Sequence, residues 1–243
     1  MVSFDNYPFR RTGDNLGFLE QWGEVRAAGL TYDLPTWVYV QSFTSTNYRR
    51  PTPEELLWQI NVSLAFGCKG IQYFTYWTPE VYAEFGPGLI TLDGQRTDLY
   101  YAAKDINNNW LARVGRQLKP LRPEVLGIAN LLDFPPPGLP AFAPDEYVAE
   151  SWGDPVILSQ FSKPDEPNYR WLLVVNYSYK EPCRVRVNLG RRVRGRGIAV
   201  FDPSTERYVE VPPPRKRLDI RLDTAAAALY RLPVRAEKER TSR

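Results

Sequence analysis

Histidine is absent from this chain of 243 residues. That removes Ser-His-Asp and Cys-His catalysis, histidine acid–base chemistry and histidine-ligated zinc from what these residues can do. Cysteine is scarce. Cys68 and Cys183 stand far apart, form no metal-ligand spacing and read as two free buried thiols. No apolar run reaches the roughly 20 residues of a membrane-spanning helix. No basic stretch followed by an apolar one opens the sequence. An excess of one charge sign is nearly missing too: 31 Lys and Arg against 28 Asp and Glu leave +3. The basic surplus lies in "GRRVRGRG" at 190–197 and in the tail "VRAEKERTSR", without the interleaved aromatics that would stack on bases. Short glycine stretches such as "GDNLG" and "GPG" are too brief for phosphate loops. The expectation is no metal, no cofactor, no nucleic acid and no membrane partner. Chemistry rests on carboxylates, Tyr, Lys or Cys.

What is present is aromatic. Seven Trp and fifteen Tyr contribute to an aromatic content of 14%, and such side chains serve both cores and flat apolar ligand faces. Residues 1–121 alternate short apolar strands with longer helices. "VSFDNYPF" begins as a strand at Val2. Asp14 is placed to cap a helix whose stripe is Phe18, Trp22 and Val25, and Gly29 suits its C-terminal turn. "TWVYV" is a strand. Thr52, Pro53 and Glu55 form a capping box and first turn, with Leu57, Ile60 and Leu64 facing inward. "IQYFTYW" is a further strand, and a last helix runs from about Thr97 to Pro120. Strands and helices in alternation imply a parallel sheet with covering helices, whose ligand sites lie at the carboxyl ends of the strands.

"LRPEVLG" reads as a linker, and residues 122–234 as an antiparallel β-sandwich of about eight strands. Residues 235–243 form a charged tail. Trp152 and Trp171 could bind glycan from the β-rich part, but both lie inside strand-like runs and are expected in the core. The sequons at Asn61 and Asn176 fall inside predicted elements and read as chance.

In order, "VSFDNYPF", "LPTWVYVQSF", "RPTPEELLWQINVSLAFGCKGIQYFTYW" and the trailing β-rich segment resemble the last three units of a (β/α)8-barrel glycoside hydrolase. Bacterial β-galactosidase-like enzymes with a C-terminal β-sandwich are the nearest likeness. The resemblance implies α/β plus all-β: a partial (β/α)8 barrel over 1–121 followed by the sandwich. It also implies a carbohydrate substrate. Because three parallel strands cannot close a barrel, the expectation is a piece of a longer protein, completed by an N-terminal half-barrel or by self-association. The acid/base of such enzymes follows the fourth strand, outside this sequence. Gln41 matches the position of the nucleophilic Glu, and a neutral amide cannot form a glycosyl ester, though it can hydrogen-bond a hydroxyl. The expected site is therefore Asp5 as the catalytic carboxylate, with Tyr7, Gln41, Tyr76 and Trp77 binding sugar. Trp77 would be the platform under the ring. Asp5 also reads as a turn-capping residue, and Glu80 as the cap of a short helix. The competing function is a non-catalytic carbohydrate-binding or scaffold module derived from such a barrel.

Overall fold

The computed structural model describes residues 1–80, 84–212 and 216–235. Strand β1 (Val2–Phe4) leads into a small hairpin, β2 (Phe9–Arg10) and β3 (Gly13–Asp14). Helix α1 (Gly17–Thr31), strand β4 (Thr36–Gln41), helix α2 (Pro53–Ala65) and strand β5 (Gly70–Phe74) follow. Strands β1, β4 and β5 form a parallel sheet in that spatial order. The final helical stretch is not one regular helix. It comprises α3 (Asp98–Asp105), a π-helical run over Ile106–Leu111, and α4 (Ala112–Leu118).

Local chemistry accounts for the boundaries of α2, and non-local pairing overrides it elsewhere. Thr52 accepts from the Glu55 amide and Glu55 accepts from the Thr52 amide, so the capping box forms as the sequence predicts. Gly67, in the left-handed region at φ 92°, turns the chain out of α2. Asp14 caps nothing: it lies in the hairpin and pairs with Arg49 at 3.2 Å, so α1 starts three residues later. Gly29 stays within α1, and the helix continues to Thr31. The expected linker is a strand, β6 (Arg122–Ala129), because it pairs from end to end with a later strand, with one bulge between Pro123 and Val125.

The β-rich part adds β7 (Val148–Gly153), β8 (Val156–Ser162), β9 (Tyr169–Asn176), β10 (Cys183–Leu189) and β11 (Ala199–Asp202). It ends with β12 (Arg207–Glu210), β13 (Arg217–Leu222) and β14 (Ala227–Pro233). These make an antiparallel six-stranded sheet, β12-β11-β14-β9-β8-β6, and a three-stranded one, β13-β10-β7. One hydrophobic cluster joins the six-stranded sheet to the three-stranded one through Val156, Leu158, Leu172 and Val174 against Val185, Val187 and Ile220. The other face of the six-stranded sheet, with Ile157, Phe161, Trp171 and Leu173, shares one cluster with Phe4, Trp22, Val38 and Ile60.

Helix α2 lies between these layers, contacting β4 on one side and β8 and β9 on the other. It is therefore buried nearly all round. Its polar residues are satisfied individually. Gln59 accepts from the Gln41 amide at 2.7 Å. Asn61 donates to the Ala225 carbonyl at 2.9 Å and accepts from Trp110 Nε1 at 2.6 Å. Ser63 accepts from Trp22 Nε1 at 3.1 Å. Asn61 and Asn176 are both 0% exposed, which agrees with reading their sequons as chance.

Candidate functional site

The carboxyl ends of β1, β4 and β5 converge. Phe4 pairs with Val38, Tyr39 with Gln72 and Gln41 with Phe74. Alternation sends Val38 and Val40 into the helical layer, where both are 0% exposed. Trp37, Tyr39 and Gln72 face the other way and are half-buried. Trp37 lies over Gly70, where a Cβ would come within 2.3 Å of the indole.

Just beyond the strand ends sits an aromatic cluster. The Tyr7 ring stacks on Phe74 at 5.7 Å and meets Phe43 edge-on at 5.1 Å and Tyr48 at 5.7 Å. Phe85 closes on Phe43 at 5.2 Å. Burial, chiefly, and the nearby charge of Asp5 push the Tyr7 hydroxyl far above its ordinary value, with smaller contributions from Tyr48 and Tyr39. Tyr7 thus stays a neutral hydroxyl. Asp5 itself is exposed, directly after β1, and makes no ion pair among the described residues.

Two expected ligand contacts need correction. Gln41 is 0% exposed. Its Oε1 accepts from the Phe9 amide at 3.0 Å, and its Nε2 donates to the carbonyls of Phe9 at 3.1 Å and Arg49 at 2.7 Å. The amide is committed to fastening the hairpin and the 42–50 loop to the end of β4, so it does not reach a ligand. Arg49 continues the fastening with a two-pronged bond to Glu55, both contacts at 2.6 Å. Tyr7 is 8% exposed and forms the packed layer beneath the strand ends, not their surface.

Tyr76 and Trp77 are different: they are 57% and 51% exposed. Their backbone is nonetheless held. Ile90 N donates to the Tyr76 carbonyl at 2.7 Å, and Thr78 N donates to the Ile90 carbonyl at 3.0 Å. The Thr78 hydroxyl, buried, donates to Ile90 O at 2.6 Å and accepts from Gly88 N at 3.0 Å. Exposed rings on a fixed backbone are suited to stacking on the C–H face of a flat ligand. Glu80 is exposed, and the residues that follow it, 81–83, where it was expected to cap a short helix, lie outside the described residues.

Tyr39 belongs beside these residues and escaped the sequence reading. The alternation in "TWVYV", with Val38 and Val40 inward, is the signal that marks Trp37 and Tyr39 as facing the other side. Among the described residues, no group of three or more Cys, Asp or Glu is placed to hold a metal ion.

No family model and no curated protein matches this sequence. Solved structures do. The structure of a rhamnosidase from Novosphingobium sp. PP1Y is similar over 99% of this chain, with a TM-score of 0.59 at 10% identity. A putative alpha-N-acetylgalactosaminidase from Bacillus halodurans C-125 matches over 95% of the chain, with a TM-score of 0.47 at 8% identity. An Anoxybacillus alpha-amylase matches over 91%, with a TM-score of 0.41 at 10% identity. The chain spans 35% of the rhamnosidase structure, 46% of the second and 47% of the third. Its fold, mixed helix and sheet with antiparallel sheets, is therefore similar to that of part of a glycoside hydrolase structure.

Proposed function

We propose that this chain is the carboxy-terminal part of a glycoside hydrolase. In this reading β1, β4 and β5 with their helices are the last three units of a (β/α)8 barrel, and β6 to β14 form a C-terminal sandwich. The domains would divide at about residue 121, with 122–234 as the sandwich. The observation that carries the reading is the ordered parallel triplet β1-β4-β5, which gathers Asp5, Tyr76 and Trp77 at its carboxyl ends. The similarity to a rhamnosidase structure over nearly the whole chain supports it.

The chemistry assigned to each residue is specific. Trp77 and Tyr76 present the floor on which a sugar ring lies. Asp5 supplies one carboxylate. Glycoside hydrolysis needs a second carboxylate, about 5–5.5 Å from the first where configuration is retained. In this reading the partner comes from barrel strands outside the sequence, so the chain binds saccharide without turning it over.

The test uses tryptophan fluorescence and a panel of aryl glycosides. Binding without hydrolysis by the unmodified chain, lost in Trp77→Ala, is the expected result. The longer protein should hydrolyse one of the panel and lose that activity in Asp5→Ala. Hydrolysis by the chain alone that survives both substitutions would overturn the site.

Gln41 favours a second reading, a saccharide-binding module without catalysis. It stands at the position matched to the nucleophile and is sealed in the interior. The two readings separate on the longer protein: hydrolysis supports the first, saccharide binding without hydrolysis the second. Gln41→Glu gains no activity in either case, because two carbonyls would then face a buried carboxylate.

A further inference from the structure

We infer that a second saccharide-binding site lies in the β-rich part, between the end of β6 and strand β7, with Trp152 as its stacking surface. It rests on the carbohydrate reading above but uses none of the same residues.

Strand β7 carries a bulge. β7 pairs with β10 so that Val148 faces Leu189 while Glu150 faces Asn188, which leaves one additional residue on β7. Such an insertion reverses the side to which later side chains point. Val148 consequently enters the core at 0% exposure, whereas Trp152 is turned outward and is 47% exposed. In a regular strand, Val148, Glu150 and Trp152 would share one face. The expectation that Trp152 belongs to the core fails for this reason. Trp171, in β9, is 4% exposed and meets that expectation.

Trp152 does not stand on a flat surface. It borders a cavity of about 370 Å³, opened between β6 at the edge of one sheet and β7 at the edge of the other. The volume lies within the range of small-ligand sites, about 300–1,000 Å³. Apolar wall is supplied by Phe142 and polar groups by Asn130, Asp133 and Glu150. Asn130, left-handed at φ 64°, is fixed by bonds from its Nδ2 to Ser151 Oγ at 3.0 Å and to the Asp154 carbonyl at 3.1 Å. Its Oδ1 accepts no hydrogen bond among the described residues. Glu150 accepts from Asn188 Nδ2 at 3.2 Å, which orients its carboxylate.

The lining chemistry chooses the ligand class. Two carboxylates and an amide oxygen accept from hydroxyl groups, and an indole face takes the C–H side of a ring. The lining holds no Lys or Arg, which disfavours an anionic sugar or phosphate. A neutral, hydroxyl-rich saccharide fits both the acceptors and the aromatic wall.

The experiment is calorimetric titration of neutral oligosaccharides into the chain, its Trp152→Ala and Trp77→Ala variants, and an Asp133→Asn/Glu150→Gln double variant that retains the indole. The expected result is about a tenfold loss of affinity at one class of site in Trp152→Ala and in the double variant. That class persists in Trp77→Ala, and Trp152→Phe restores part of it. Loss of all binding in Trp77→Ala with none in Trp152→Ala or the double variant overturns this inference and leaves the strand-end site standing. The reverse pattern supports this site and removes the other. Binding unaffected by every variant, or no binding by any form, overturns this site.

Discussion

Strands β5 and β8 read alike as short apolar runs, "GIQYF" and "VILSQFS", yet they meet opposite surroundings. All five residues of β5 are half-buried, whereas six of the seven in β8 are buried. The difference is one of neighbours. β8 pairs on both sides, with β6 and β9, and is covered by α2 on one face and the three-stranded sheet on the other. Even its polar residues go under. Ser159 Oγ donates to the Ala65 carbonyl at 2.6 Å, and Gln160 Nε2 to Asp145 Oδ2 at 2.7 Å. β5 pairs only with β4 among the described residues, and the side of its sheet that carries Trp37 and Tyr39 stays half-open. An apolar strand is not thereby a buried one; covering elements decide it. An uncovered edge and face are what the barrel reading would explain.

The strongest way to break this contrast is at the element both regions share. Trp58, on α2, is 5% exposed and donates to the Tyr177 carbonyl at 2.8 Å. Trp58→Ala is expected to cost about 3–5 kcal/mol. Because one cluster spans both regions, helix and strand signals should melt together by circular dichroism. Separate transitions would show that the parallel sheet folds independently. Asn61→Ala comes next. It strands the Ala225 carbonyl and Trp110 Nε1, each at about 1–3 kcal/mol, as measured by urea unfolding.

The entry to β5 supplies a pH test with two signs. Burial pushes the Cys68 thiol from 9.0 up to about 12. Burial pushes the neighbouring Lys69 ammonium from 10.5 down to about 8, although Lys69 also donates to the carbonyls of Leu118 and Leu121. The folded chain keeps the Cys68 proton longer than the unfolded one. That stability is complete below about pH 9 and is lost as the pH rises through about 12. The folded chain releases the Lys69 proton sooner, so its effect runs the other way, and stability rises from about pH 8 to 10.5. Cys68→Ala should therefore remove the downward contribution above pH 9, leaving the opposing rise from Lys69 to show between pH 9 and 10. Lys69→Met should lessen the opposing rise. Unfolding midpoints at pH 8, 9 and 10 check both slopes.

Smaller effects sharpen the comparison. Thr52→Ala removes the cap that sets α2 and should cost about 1 kcal/mol in a thermal melt. Trp77→Ala should change stability by less than about 0.5 kcal/mol, since its ring is half in solvent. A large loss there would make Trp77 a packing residue and remove it from the floor of the site.

Much of the local order was legible. The Thr52-Pro53-Glu55 start of α2, its end at Gly67 and the parallel strands "VSF" and "TWVYV" follow from short-range chemistry, and all stand in the structure. Trp77, three residues past the end of β5 and two before Pro79, reads from the sequence as a platform under a sugar ring, and in the structure its ring is exposed. The failures are non-local. Asp14 reads as a helix cap because its pairing with Arg49, thirty-five residues away, leaves no mark in the neighbouring sequence. Gln41 looked available for a ligand because its three backbone partners come from two distant loops. The last helix looked continuous because a π-helical run keeps apolar residues near a helical spacing.

The sequence by itself determined the start of α2 at its Thr52-Pro53-Glu55 cap and its end at Gly67, which strands are apolar, and that these residues offer no histidine chemistry. These depend on backbone dihedrals, capping and composition, which act within a few residues. Only the tertiary structure decided which apolar strand is covered, that Gln41 is sealed, and that Trp152 faces outward. Each of these turns on a partner brought from far along the chain or on a single-residue bulge, and a run of letters carries no record of either.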